Sequence, residues 1–365
     1  MYRGKSIAVV VPAYNVEHLL PRVIDTMPAF VDWIVVVDDT SKDGTARLAQ
    51  ERIDKGDRRI VLLRHPENRG VGAAIGTGYI WARDHAIDAT AVMAGDAQMD
   101  PADLSRILDP VVADLADYSK GNRIFTDEWR KIPKVRLFGN SALSLMTKVA
   151  SGYWHSADSQ SGYTAISLEA LRTIAIDKIY PRYGCPNDIL VKLNVYDFRV
   201  IDVPIRPVYG VGEKSGMKIP KVVFSIGWLV TKLFFWRMRE KYVIRDFHPL
   251  VFFYLAAFML IPAGFAIGFA VLFFNTPLAH LAGQSSIGPL HPGWIILCAL
   301  LLISGLQSLF FAMWFDMDYN RANCIIFRRT PLGAGSRLAA PSPPPAATAP
   351  PLEVRVPRSD PAPTP

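Results

Sequence analysis

Read as apolar and polar positions, the first half of the chain alternates between two patterns. Short apolar runs, IAVVV at 7–11, IVVV at 34–37, IVLL at 60–63 and AVM at 91–93, each stop at small or polar residues. Between them the pattern loosens to a helical one over roughly 17–29, 43–54, 71–86 and 101–115. Runs that are apolar at every position suit strands buried on both faces, and their alternation with helices predicts an α/β fold, a mostly parallel sheet with helices on both sides. Ser41 or Asp43 is placed to cap the second helix.

The second half reads differently. Residues 249–274 and 293–315 contain no charged residue. Each exceeds the roughly 20 apolar residues that cross a bilayer core. Arg237, Arg239, Lys241 and Arg245 precede the first run, Arg321, Arg328 and Arg329 follow the second, and the connecting loop 275–292 has no Lys or Arg. By the positive-inside rule both termini are expected in the cytoplasm and the loop outside. The stretch 219–248 is apolar, aromatic and basic but is interrupted by Lys232, so it is expected to lie in the membrane interface as amphipathic helices. Residues 331–365, rich in Pro and Ala, are expected to form a disordered cytoplasmic tail. The N-terminal run IAVVV is too short for a signal-peptide core, so residues 1–218 are expected to fold in the cytoplasm.

The formal charge of +7 is concentrated beside the apolar runs, which fits a membrane surface, and no aromatic-basic pattern suggests nucleic acid. The three cysteines are far apart and form no ligand spacing.

In a sheet of this kind ligands bind beyond the carboxyl ends of the strands. Tyr14, Asn15, Asp38, Asp39, Asp96 and Gln98 all fall there. An acid and an amide two residues apart, Asp96 and Gln98, supply the hard oxygen donors that Mg²⁺ or Mn²⁺ prefers. A cation at that position would neutralise a diphosphate leaving group, and Asp39 or Glu17 could accept hydrogen bonds from a base or ribose. Gly70, Gly72 and Gly76 are spaced GxGxxxG, one residue longer than a dinucleotide fingerprint and after the third strand, so close helix packing explains them better than a nicotinamide cofactor.

The segments VVPAYNVE, VVVDDTSKDGT, HPENRGVGAA, GDAQMDP and SGYTAISLEAL stand in the order seen in family 2 glycosyltransferases of the GT-A fold. With two C-terminal apolar runs, the chain resembles the polyprenyl-phosphate glycosyltransferases of the dolichol-phosphate mannose synthase type. The resemblance implies a Rossmann-like GT-A domain, a nucleotide-diphosphate-sugar donor of the GDP-mannose or UDP-glucose type, a polyprenyl phosphate acceptor and a divalent metal. It implies that Pro12, Tyr14 and Asp39, with the neighbouring Ala13, Glu17 and Val37, line the nucleoside site. Asp96, Ala97 and Gln98 would meet metal and diphosphate. Arg123, Arg136 and Lys214 would face phosphates, with Lys218 as an alternative to Lys214. Asp158 is a candidate for orienting sugar or acceptor, beside a plain turn-forming role. Three positions depart from the family's pattern. Ala94 stands where the DxDxQ loop has its first acid, Val16 separates the Tyr-Asn pair from Glu17, and the late RxxGxSK pattern is only echoed by Arg206, Gly212 and Lys214. Two other readings share these features: a processive polysaccharide synthase, which would carry a QxxRW motif absent here, and a non-catalytic sugar-nucleotide sensor. A homo-oligomer is left open.

Overall fold

The computed structural model describes residues 1–123, 134–156, 158, 161–206, 208, 219–274 and 292–325. Lys214, Lys218, the loop 275–291 and the tail 331–365 lie outside the described residues.

Strands β1 (Ile7–Ala13), β2 (Trp33–Asp38), β3 (Ile60–Arg64) and β4 (Ala89–Val92) alternate with helices α1 (Leu20–Asp25), α2 (Thr45–Asp54) and α3 (Val71–Asp84). A 3-10 turn at Pro101–Asp103 leads into α4 (Leu104–Val112). Then come β5 (Tyr118–Asn122), α5 (Lys134–Ser151), β6 (Thr164–Ser167), α6 (Leu168–Thr173), α7 (Cys185–Val195) and β7 (Val200–Pro204). With β8 (Cys324–Ile325) at one edge, the sheet order is β3-β2-β1-β4-β6-β5-β7-β8. β1 pairs in parallel with β2 and β4, and β6 runs antiparallel between β4 and β5.

Every residue of β1 is buried, as a continuous apolar run requires. Its period of two splits the core. Ile7, Val9 and Val11 face the layer of α1 and α4, whereas Ala8 and Val10 face that of α3, α6 and α7. Each buried Val or Ile contributes about 1.5–3 kcal/mol relative to exposure. Helix α3 sits close because Gly78 lies on Val10, where an added Cβ would approach Val10 Cγ1 to 2.3 Å. Gly72 likewise lies on the Tyr180 carbonyl, at 2.2 Å from the same imagined atom. These glycines therefore serve close packing.

Helix α8 (Ile219–Arg239) and a π-helical turn (Glu240–Arg245) precede α9 (Leu250–Phe274) and α10 (Gly293–Tyr319). Along α8, Ile226, Val230, Phe234 and Met238 are buried at intervals of four, while Phe224, Trp228 and Phe235 are exposed. α9 and α10 are each long and apolar enough to cross a membrane. They run antiparallel, with Gly264 against Leu302, Gly268 against Cys298 and Gly305 against Ile261. Small residues at these crossings let the two backbones approach, as in membrane helix pairs. Charge-free sequence ends at Phe315, but α10 continues to Tyr319 and carries Asp316 fully buried.

After α10 the chain returns to the sheet. Cys324 and Ile325 form β8, which pairs in parallel with Val200 and Ile201 of β7. A catalytic unit confined to residues 1–218 therefore lacks one strand of its own sheet.

Candidate functional site

The loops after β1, β2 and β4 meet at one rim and are tied together by hydrogen bonds. Asn15 N donates to Ser41 Oγ at 3.0 Å, and Lys42 N donates to Asn15 Oδ1 at 2.8 Å. Val16 N donates to Thr45 Oγ1 at 2.9 Å, and Gly44 N donates to Glu17 Oε2 at 2.9 Å. Gly95 N donates to the Pro12 carbonyl at 3.1 Å. Ser41 is thus engaged with the first loop, and it is Asp43 that accepts from Thr45 N at the start of α2, at 3.0 Å. Each loop contains one residue at positive φ: Asn15 at 53°, Thr40 at 61° and Ala97 at 57°. For the β-branched Thr40 this conformation costs about 1–3 kcal/mol and needs enforcement by its surroundings. The enforcement includes a bond from Thr40 Oγ1 to the His65 carbonyl at 2.9 Å.

The two acids at the end of β2, Asp38 and Asp39, are buried. Asp39 is 3% exposed and accepts from His65 Nδ1 at 2.7 Å, Arg69 N at 2.9 Å and Gly70 N at 2.7 Å. A carboxylate only accepts, so His65 carries its proton on Nδ1, and Nε2 pairs with Thr77 Oγ1 at 2.9 Å. Asp39 therefore braces the loop that opens α3. Pro12, Ala13 and Val37 are buried, so their side chains belong to the core, whereas Tyr14 is exposed.

Asp96 and Gln98 sit half-buried on the turn after β4, with Gln98 N donating to Asp96 Oδ1 at 3.1 Å. The left-handed Ala97 between them folds the turn so that both side chains belong to one short arc. Among the described residues no group of three or more His, Cys, Asp or Glu could enclose a metal ion. The donor set fits a Mg²⁺- or Mn²⁺-type ion only if that ion takes most of its shell from substrate oxygens and water, as Mg²⁺ commonly does.

Across the rim stands a second polar group. Arg123 donates from Nε to Asp158 Oδ2 at 2.8 Å and from Nη2 to Oδ1 at 3.1 Å, a two-pronged ion pair. Burial would raise the Asp158 carboxyl, but the hydrogen bonds and charge of Arg123, helped by Lys120, outweigh it and hold the carboxyl below its ordinary range. Behind the pair, the buried Lys120 reaches the Asp158 carbonyl at 2.5 Å and Asp202 at 3.1 Å. Asp202 also accepts from Asn122 at 2.8 Å. Register brings this group beside the Asp96 turn. β6 begins at Thr164, which pairs with Val92 of β4 and Lys120 of β5. Tyr163 Oη donates to the Asp100 carbonyl at 3.0 Å, and Val208 N donates to the Gln98 carbonyl at 3.1 Å. Arg136 lies on α5, with its side chain outside the described residues. Lys120, Asn122 and Asp202 were missed by sequence reasoning. The signal available was the charge in YSKGN and VIDVP, two segments otherwise suited to buried strands.

The strand order with its single antiparallel member between β4 and β5, and the polar loops gathered at one rim, define a GT-A fold. Residues 8–175 match the family model for glycosyl transferase family 2. An uncharacterized protein of Methanocaldococcus jannaschii is 31% identical over 206 residues, 56% of this chain and 82% of that protein. The chain belongs to glycosyl transferase family 2. It is 29% identical over 218 residues to the UDP-N-acetylglucosamine–dolichyl-phosphate N-acetylglucosaminyltransferase of Methanococcus voltae, 56% of this chain and 86% of that protein. Polyprenol monophosphomannose synthase of Mycolicibacterium smegmatis is 28% identical over 235 residues, 60% and 84% of the two chains. A solved mannosyltransferase of Pyrobaculum calidifontis, bound to GDP-Man and Mn²⁺, overlays 84% of this chain and 88% of its own at 19% identity and a TM-score of 0.45.

Proposed function

We propose that this protein transfers one sugar, of the hexose class, from a nucleotide-diphosphate sugar to a polyprenyl or dolichyl monophosphate at the cytoplasmic face of a membrane, with inversion at the anomeric carbon. The observation that carries the reading is the meeting of the Asp96–Gln98 turn and the Arg123–Asp158 pair on one rim of a sheet that is continuous with two membrane-length helices. The relatives named for transfer to dolichyl phosphate, or for a polyprenol monophosphate product, support the acceptor class.

The acceptor phosphate is its own nucleophile. A phosphate monoester loses its second proton at about pH 6, so near neutrality it needs little help from a base. The rim carries no Ser-His or Cys-His pair among the described residues, in keeping with a site that works by positioning and charge stabilisation. Tyr14 and the loop braced by Asp39 receive the nucleoside. Asp96 and Gln98 would hold a Mg²⁺ or Mn²⁺ ion, which when bound supplies positive charge to the departing diphosphate. Arg123, fixed by Asp158, presents its guanidinium to phosphate oxygens. Lys214 is assigned the same duty from the segment that leaves the domain for the membrane. The exposed aromatic face of α8 rests in the interface, and α9 and α10 span the bilayer with the loop 275–292 outside.

Washed membranes containing the protein, supplied with polyprenyl phosphate and a panel of radiolabelled nucleotide sugars, test the reading and name the donor. One sugar should label the lipid. No labelled lipid with any donor, while polymer or nothing forms, would remove it.

A further inference from the structure

The C-terminal end of the second apolar helix is tied by hydrogen bonds to the segment that leads to Asp158. Asp316 of α10 and Arg237 of α8 are both fully buried and form a two-pronged ion pair, with Nη1 to Oδ1 at 3.0 Å and Nη2 to Oδ2 at 2.9 Å. Tyr242 Oη donates to Asp316 Oδ1 at 2.6 Å, and Trp154 Nε1 donates to Oδ2 at 3.2 Å. Arg237 also donates to the Val149 carbonyl at 3.0 Å and to Asn194 Oδ1 at 3.1 Å. Next to it, the buried Lys241 donates to Asn194, Asp197 and Asn320. Gly152 ends α5 at φ 76°, and a Cβ there would lie 2.1 Å from Arg237 Nη1. A side chain at 152 would push the guanidinium out of place.

Four residues after Trp154 comes Asp158. Described residues on either side of Trp154 are held: Tyr153 Oη donates to the Phe198 carbonyl at 2.6 Å, and Ser156 Oγ donates to Asp202 Oδ1 at 3.3 Å. Val149 and Trp154 are therefore fixed by the helix junction, and Asp158 by Lys120 and Arg123. β8, which follows α10 after a short 3-10 turn, ties the same part of the chain to the edge of β7. A plain membrane anchor needs none of this. A charge buried at the end of an apolar helix is costly unless it is paired and has a purpose.

We propose that Asp316 and Trp154 are positioning residues: through them the second apolar helix sets the position of Asp158, and with it Arg123, relative to the membrane-borne acceptor. The inference rests on the transferase reading above. The mildest perturbation is Trp154→Phe, which removes the indole N–H donor and its five-membered ring but keeps an aromatic side chain. Asp316→Asn removes the charge facing Arg237.

The test is steady-state transfer to undecaprenyl phosphate by the full chain in membranes, with the donor that labels lipid in the wild type, at matched amounts of folded protein. Trp154→Phe should lower turnover by about fivefold, part of what a hydrogen bond to a charged group contributes, and Asp316→Asn by more. The KM for the donor should stay within about twofold, because the nucleoside loops after β1 and β2 are untouched. The thermal midpoint of Trp154→Phe should fall by only about a few degrees, leaving the variant folded at the assay temperature. Unchanged turnover in Trp154→Phe overturns the proposal, as does a loss that merely follows the folded fraction. If Asp316→Asn does not fold, Trp154→Phe alone decides. A wild type that labels no lipid counts against the transferase reading instead.

Discussion

Asp158→Asn separates a catalytic clamp from a structural one. The amide keeps the shape of the carboxylate but turns one acceptor into a donor that faces a guanidinium. Lost are one of the two hydrogen bonds to the Arg123 guanidinium and the charge attraction. A hydrogen bond to a charged group is worth about 1.5–3 kcal/mol, but the Arg123 side chain is 41% exposed and solvent screens the ionic part. The stability loss should therefore stay near about 1–2 kcal/mol, with Lys120 still holding the Asp158 carbonyl. For a domain of this size that lowers Tm by about 2–4 °C per kcal/mol. Turnover should fall much further, by at least about tenfold, or 1.4 kcal/mol of transition-state stabilisation, because a released guanidinium no longer meets the leaving diphosphate. Arg123→Ala should cost as much, and the double variant little more, since the two side chains act as one unit. The assay is transfer kinetics of the three variants beside thermal unfolding of each. Turnover of Asp158→Asn within twofold of wild type, or fully additive losses, would refute the clamp.

Asp96→Asn should abolish transfer with little change in Tm, and chelator should do the same to the wild type; undiminished activity in either case removes the metal assignment. The rate should fall as pH drops through about 6, where the acceptor phosphate gains a proton. Asp158 should contribute nothing to that limb. Its folded carboxyl is held below the ordinary 3.8, so the stability it provides is complete above that value and is lost only as pH falls through the lower, folded one. A limb that persists with a permanently ionised acceptor analogue would count against this. Cysteines placed singly at Ser285 and Ser359, in a chain without its native cysteines, should react with an impermeant thiol reagent on intact cells only at 285; the opposite pattern reverses the topology.

The first four strands and their helices were legible because apolar runs at every position leave few alternatives, and their polar ends marked the rim. The Asp96 turn was legible for the same reason. The hydrogen-bond partners of Asp39 were not. An acid at a strand end looks ligand-facing in sequence, and only the fold brings His65, Arg69 and Gly70 around it. Lys120 and Asp202 were hidden because each charge is neutralised by a partner far away in sequence. The same holds for Arg237 and Asp316, which sit 79 residues apart; Arg237 read only as one of the basic residues before the first apolar run. β8 is two residues long, too short to leave a periodic signal.

The most direct test of the account is the mass of the product. Purified full-length protein in liposomes with undecaprenyl phosphate, a divalent metal and its labelling donor should yield undecaprenyl phosphate carrying a single sugar, formed in step with release of the nucleoside diphosphate. Nucleoside diphosphate released with only free sugar, or a lipid carrying a growing chain of sugars, would contradict it.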